Sequence, residues 1–279
     1  MVGAPAVKSA ARVLDLLELL AHDPSGLHLG DVCKLLDWPK SSAHGLVRTL
    51  TDRGYVRVDA GGGYRLGARA FEVGQAYLGG TDLVEDGTEF ARSLSSQTGE
   101  TVHLAVLDGA DALYVAKCEG THTIRMASAV GKRLPAYATG VGKVLLAGLT
   151  DRELDLLYPP GDALPRLTAT TLADSSALRA ELRRIRERGH ALDWQESTVG
   201  LGCVAFPVYD AAGLAAALSV SVPVDRFEGA RDLLIDRTGS AASALSRRLG
   251  GGPSAARAPA SARSTAPDLP YPSSKQERT

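Results

Sequence analysis

The sequence predicts an α+β protein in two parts: an N-terminal winged helix-turn-helix and a larger C-terminal domain with an antiparallel sheet, joined by a linker helix. Three observations carry this. The first 67 residues hold three amphipathic stretches followed by a short hairpin. Further on, two pairs of strands are each joined by a tight turn, the mark of antiparallel neighbours. Helical periodicity recurs before, between and after those pairs.

The stretch AARVLDLLELLA sets Ala10, Val13, Leu14, Leu17 and Ala21 on one helical face. After HDPSGLH, the run LGDVCKLL repeats the pattern with Leu29, Val32, Cys33 and Leu36. DWP turns the chain, and Pro39 suits the first turn of the next helix, where a missing N–H costs nothing. That helix, 40–52, carries Ala43, Leu46, Val47 and Leu50 at i, i+3, i+4, i+7 and stops near Gly54. YVRV alternates as a strand, DAGGG turns, and YRLG returns as its partner. ARAFEVGQAYLGG then spaces Ala70, Phe71, Gly74 and Tyr77 as a connecting helix.

From residue 82 the order is helix, strands, helices, strands, helix. VEDGTEFARSLSSQTG is helical, and TVHLAVL and ALYVAKC are strands joined by DGAD. GVGKVLLAGL opens a helix and SSALRAELRRIRERG is a strongly amphipathic one. CVAFPVYD and LAAALSVSVP form a second hairpin across AAG, and a helix from Arg226 to Leu249 closes the domain. The expected divisions are 1–67, 68–81, 82–249 and a disordered tail at 250–279, which is too poor in apolar residues to fold.

Composition narrows the function classes. At 44% hydrophobic and 23% charged residues, the balance is that of a globular protein. The net charge is −1, so any basic surface must be local. Residues 1–70 hold nine Lys/Arg against seven Asp/Glu, and a surplus of two gives DNA binding little support from charge. The N-terminal stretch lacks a signal-peptide pattern, and no run approaches the ~20 apolar residues that span a bilayer. Cys33, Cys118 and Cys203 lie far apart, form no metal-ligand spacing and suit a reducing, cytoplasmic setting. Neither G-x-S-x-G nor H-E-x-x-H occurs. His103 in one strand and Cys203 in another would allow a nucleophile or a metal site, but a lone strand histidine is more often structural. The expectation is therefore no enzyme, no metal, no cofactor and no membrane partner.

Two stretches carry candidate binding chemistry. Opposite the apolar stripe of helix 40–52 lie Ser41, Gly45, Arg48, Thr49 and Asp52, with Ser42 and His44 at the edges and Lys40 at the start. Short hydroxyl side chains and one arginine suit entry into a DNA major groove. In the hairpin, Arg57 and Arg65 are placed to meet flanking phosphates as a wing does. The same periodicity also suits a plain helical bundle with a solvated face. The second stretch is GKRLPAYATGVGKVLLA, where Thr139 is a good N-cap and the N–H groups of Gly140, Val141 and Gly142 would be free for a small anion such as a carboxylate. It completes neither a P-loop, since Val144 stands where Ser or Thr is required, nor G-x-G-x-x-G, since Leu145 holds the third glycine position. A simple capped helix is the other reading.

In order along the chain, PKSSAHGLVRTL, GYRLG, TGETVHLAVLDG, VGKRLPAYATGVGKVLLA, LRAELRRIRERGHALD and GLGCVAFPVYDAAG resemble the isocitrate lyase regulator (IclR) family of bacterial transcription factors over residues 7–249. The resemblance implies a winged helix, a linker helix that helps dimerise, and a GAF-like effector domain. It implies a homodimer or dimer of dimers on double-stranded DNA, at an approximately palindromic operator, and a small-molecule effector such as an organic acid. Carried onto this sequence, the effector positions are Met126, Leu134, Gly140, Val141, Asp193, Cys203, Ser219 and Ser221. There the helix N–H groups and the two serines would hold a carboxylate, Asp193 a ligand hydroxyl, and Met126 and Leu134 an apolar wall. Two positions depart from the family: Gly45 stands where arginine is frequent, and Trp194 where a second acidic residue often follows Asp193.

Overall fold

The computed structural model describes residues 7–23, 25–78, 82–121 and 129–251. They fall into two compact units that divide after residue 80.

In the first unit, helices α1 (Lys8–His22), α2 (Leu29–Leu36) and α3 (Lys40–Asp52) lead into a hairpin of β1 (Val56–Val58) and β2 (Tyr64–Leu66), and then into α4 (Ala68–Leu78). Leu16, Leu20, Val32, Trp38, Ala43, Val47, Leu50 and Val56 form one core. The buried face of α1 is not the expected one. Leu16 and Leu20 are buried with Val13 and Leu17 against them, while Leu14 is 58% exposed. The run VLDLLELL contains two overlapping helical stripes, and contact with α2 and β2 selects between them. Asp37, in the left-handed conformation at φ 51°, ends α2. It turns Trp38 into the core and leaves Pro39 as the N-cap of α3, one position before the first turn.

The second unit is a six-stranded antiparallel sheet with helices on both faces. Its elements are α5 (Asp82–Thr98), β3 (Thr101–Asp108), β4 (Asp111–Cys118), β5 (Arg133–Pro135), α6 (Gly140–Ala147), α7 (Asp151–Leu157), α8 (Ser175–Arg188), β6 (Ala191–Trp194), β7 (Leu201–Asp210), β8 (Gly213–Pro223) and α9 (Val224–Arg248). The strand order is β5-β4-β3-β8-β7-β6, so the two hairpins meet at β3 and β8. Strand alternation sorts the side chains. Val102, Leu104, Val204, Leu218, Val220 and Val222 face the layer of α5 and α9. Ala105, Cys203, Ala205 and Ala217 face the layer of α6 and α8. Three elements had no clear sequence signal: α7 and the short edge strands β5 and β6.

The expected tail falls almost wholly outside the described residues. Gly250 is described and bridges Asp210. Among the described residues, no helix is long and apolar enough to cross a membrane.

Candidate functional site

The outer face of α3 is built as the sequence implied. Lys40, Ser41, His44, Gly45, Arg48 and Thr49 are exposed and Ser42 is half-buried, while Ala43, Val47 and Leu50 anchor the helix from behind. No atom lies within 4 Å of where a Cβ on Gly45 would stand. The Thr49 hydroxyl donates to the Gly45 carbonyl at 2.8 Å, so its proton is engaged within the helix and only its lone pairs face outward. Arg48 and Asp52 approach to 3.9 Å, both strongly exposed, a pairing of little worth in water.

In the wing, Arg57 and Arg65 are cross-strand partners but differ in role. Arg65 Nε donates to Asp59 Oδ2 at 2.8 Å, and its Nη2 donates to the Ser25 carbonyl. Asp59 also accepts the N–H groups of Gly61 and Gly63 at 2.9 Å. The Gly63 N–H and the Arg65 guanidinium hold its carboxyl below the usual range. Arg65 thus ties the wing turn to the loop before α2, so part of its guanidinium is engaged within the protein. Arg57 is exposed and makes no ion pair among the described residues.

In the second unit, a cavity of about 110 Å3 lies between the start of α6 and the sheet. Seven of the eight expected effector positions line it: Leu134, Gly140, Val141, Asp193, Cys203, Ser219 and Ser221. Met126 lies outside the described residues. Register explains the convergence. Asp193 pairs with Cys203, Cys203 with Ser221, and Ser219 with His103, so polar side chains from β6, β7, β8 and β3 share one face. The start of α6 presses onto that face. A Cβ on Gly140 would lie 3.0 Å from Cys203 Sγ, and one on Gly142 only 2.2 Å from the Ala136 carbonyl oxygen.

The helix start is less open to an anion than its sequence implied. Gly142 N–H is capped by Thr139 Oγ1 at 3.1 Å, and Gly140 N–H faces the Asp193 carboxylate. Of the three amides, Val141 N–H is the one without such an acceptor among the described residues. Asp193 Oδ1 also accepts Glu196 N–H at 2.9 Å. One turn along α6, Lys143 is fully buried; its Nζ donates to the Leu192 carbonyl at 3.1 Å and pairs with Glu196 Oε1. Burial pushes the carboxyls of Asp193 and Glu196 upward, with Lys143 opposing in both.

Sequence reasoning missed several lining residues: Tyr114, Lys132, Ser197 and Thr198, together with His103 as a pocket residue. Alternation in TVHLAVL does turn His103 away from Val102 and Leu104, which was a usable signal. The ring of Tyr114 meets His103 edge-on at 5.2 Å between centroids. Burial drives the His103 pKa down to about 3, with Lys117 adding to the effect, so the imidazole is neutral at ordinary pH. Burial likewise pushes the Cys203 thiol up to about 12, which leaves it protonated and unreactive as a nucleophile. Among the described residues, no group of three or more His, Cys, Asp or Glu is placed to hold a metal ion.

An exposed recognition-type helix with a wing, carried on the same chain as a domain with a small cavity of apolar wall and polar side chains, defines a ligand-responsive DNA-binding regulator. The family models match accordingly: the IclR helix-turn-helix domain over residues 9–60 and the bacterial transcriptional regulator IclR C-terminal domain over residues 75–247. The chain belongs to the IclR family of transcriptional regulators. It is similar to the HTH-type transcriptional regulator XynR of Escherichia coli strain K12, with 37% identity over 249 residues, 88% of this chain and 98% of that protein. It is 38% identical over 228 residues to the HTH-type transcriptional regulator BhcR of Paracoccus denitrificans strain Pd 1222, covering 81% of each chain. The solved structure of the transcriptional regulator RHA06195 from Rhodococcus sp. RHA1 is 34% identical, with a TM-score of 0.77 over 88% of this chain and 98% of that one. The protein is thus a DNA-binding transcriptional regulator that responds to a small-molecule effector, and not an enzyme.

Proposed function

We propose that this regulator works in the cytoplasm as a homodimer or dimer of dimers on an approximately palindromic operator, and controls a catabolic or metabolic operon. In this reading residues 1–67 bind DNA, 68–81 form a linker helix and 82–249 bind the effector. Lys40, Ser41, Ser42, His44, Gly45, Arg48 and Thr49 face the major groove, and Arg57 of the wing meets phosphate. The effector is a small carboxylate held at the start of α6. Val141 N–H and the hydroxyls of Ser219 and Ser221 receive its oxygens, Asp193 takes a ligand hydroxyl, and Leu134 supplies apolar wall. Effector binding shifts the balance between dimer geometries that fit or misfit the half-site spacing.

The observation that carries the reading is the convergence of side chains from β5, α6, β6, β7 and β8 on one cavity, in a chain that also presents the exposed face of α3. Band-shift titrations against DNA upstream of the protein's own gene and its neighbours test it. The expected result is sequence-selective, salt-sensitive binding that a small carboxylate modulates. Absence of any selective binding overturns it.

A further inference from the structure

The charge balance around the cavity limits how an anion can enter. Lys143 and Glu196 neutralise one another behind the start of α6. Asp193 is then left without a cation of its own, 5% exposed, with its carboxyl group on Gly140 N–H and Glu196 N–H. A ligand carboxylate reaching the same helix start therefore meets a second carboxyl group that is itself buried. Two such groups cannot both ionise at hydrogen-bond distance.

The other groups facing Asp193 do not resolve the conflict. From β7, Cys203 holds its proton because burial pushes the thiol up. From β3, His103 is neutral because burial pushes the imidazole down. From β4, burial also holds the Tyr114 phenol in its protonated form. From α6, Lys143 is engaged by Glu196 and the Leu192 carbonyl. Ser219 and Ser221 on β8 are uncharged. Lys132 also lines the cavity, but the cation that acts on the Asp193 carboxyl is Lys143.

We propose that the effector carboxylate binds together with a proton, shared between it and Asp193, so that effector sensing is coupled to pH. This rests on the carboxylate reading of the cavity given above, with Asp193 sharing the carboxylate's proton in place of taking a ligand hydroxyl. Linkage then requires that affinity fall as pH rises, approaching about tenfold per pH unit once Asp193 is ionised in the free protein.

The test is calorimetric titration of the full-length protein with acetate, glycolate, pyruvate and lactate, and with glycolamide and lactamide as uncharged counterparts. Titrations run from about pH 6 to about pH 9 in buffers of differing ionisation heat, which counts the protons taken up. The expected count rises towards one per carboxylate bound and stays at zero for the amides. Difference infrared spectra of protein carrying 13C-labelled aspartate are expected to show a carboxylic-acid band in the complex, lost in Asp193→Asn. In Glu196→Gln, which leaves Lys143 free to compensate Asp193, the uptake is expected to fall.

A carboxylate that binds in the cavity with no proton uptake overturns the proposal and leaves the carboxylate reading standing. Uptake that survives in Asp193→Asn also overturns it. If no carboxylate of the panel binds, or if Gly140→Leu binds them as the wild type does, the carboxylate reading fails and the proposal falls with it. The proton count and the infrared band are read on the wild type, so misfolding of a variant leaves the proposal open to refutation.

Discussion

His103 is buried among the cavity walls and stays neutral, its pKa near 3 against an ordinary value of 6.5. An unfolded chain protonates this histidine below about pH 6.5, whereas the folded protein resists until about pH 3. Stability from His103 is therefore present above the unfolded value and is lost as pH falls through that window. Melting temperature measured against pH is expected to fall through this range more steeply for the wild type than for His103→Gln. Equal slopes would remove His103 as the source. Gly45 is the opposite kind of residue: space is open where a side chain would stand, and its carbonyl accepts the Thr49 hydroxyl. Its bare backbone leaves a gap between Ser41 and Arg48 in the outward face. Gly45→Arg is expected to widen the operator footprint and tighten binding, and an unchanged footprint counts against a DNA-facing Gly45.

At the scale of elements, the same substitution has opposite expected signs in two helices. In α3, Gly45→Ala meets no atom within 4 Å, and the gain in helix propensity is about 1 kcal/mol. In α6, Gly142→Ala drives a Cβ to within 2.2 Å of the Ala136 backbone oxygen, an overpacking cost of roughly 1–3 kcal/mol. Amide hydrogen exchange separates the two, with slower exchange expected across α3 in the first variant and faster exchange across α6 in the second. A single melting curve would blur them, because the chain has two units. The long elements were legible because their periodicity is repeated over many residues, as in α8 and the β7–β8 hairpin. β6 was not: ALDW is four residues long, and its membership of the sheet depends on pairing with β7. The face of α1 was misread because a leucine-rich run offers two stripes and only its partners choose one.

For the whole molecule, the two units make the two binding activities separable by mutation. Arg48→Ala is expected to weaken operator binding by about 1–3 kcal/mol if Arg48 reads a base, while a ligand-induced thermal shift persists. Gly140→Leu is expected to abolish that thermal shift by filling the cavity against Cys203, Ala205 and Asp193. Loss of both activities in either variant would contradict the division of labour. By itself, the sequence determined the order of the long elements and the outward face of α3, and its resemblance to the IclR family supplied seven of the cavity's lining positions. The long elements and the α3 face follow from local periodicity and capping, which are written within short stretches. Tertiary structure alone decided that Arg65 ties down its own wing and that Asp193 already occupies the α6 amide expected to greet a ligand. It also brought His103 and Tyr114 to the cavity, and buried Lys143 against Glu196. Each of these depends on groups distant in sequence meeting across a sheet or a turn, and on the burial that follows from that meeting. Burial is what changes charge and hydrogen-bond availability, and no local pattern encodes it.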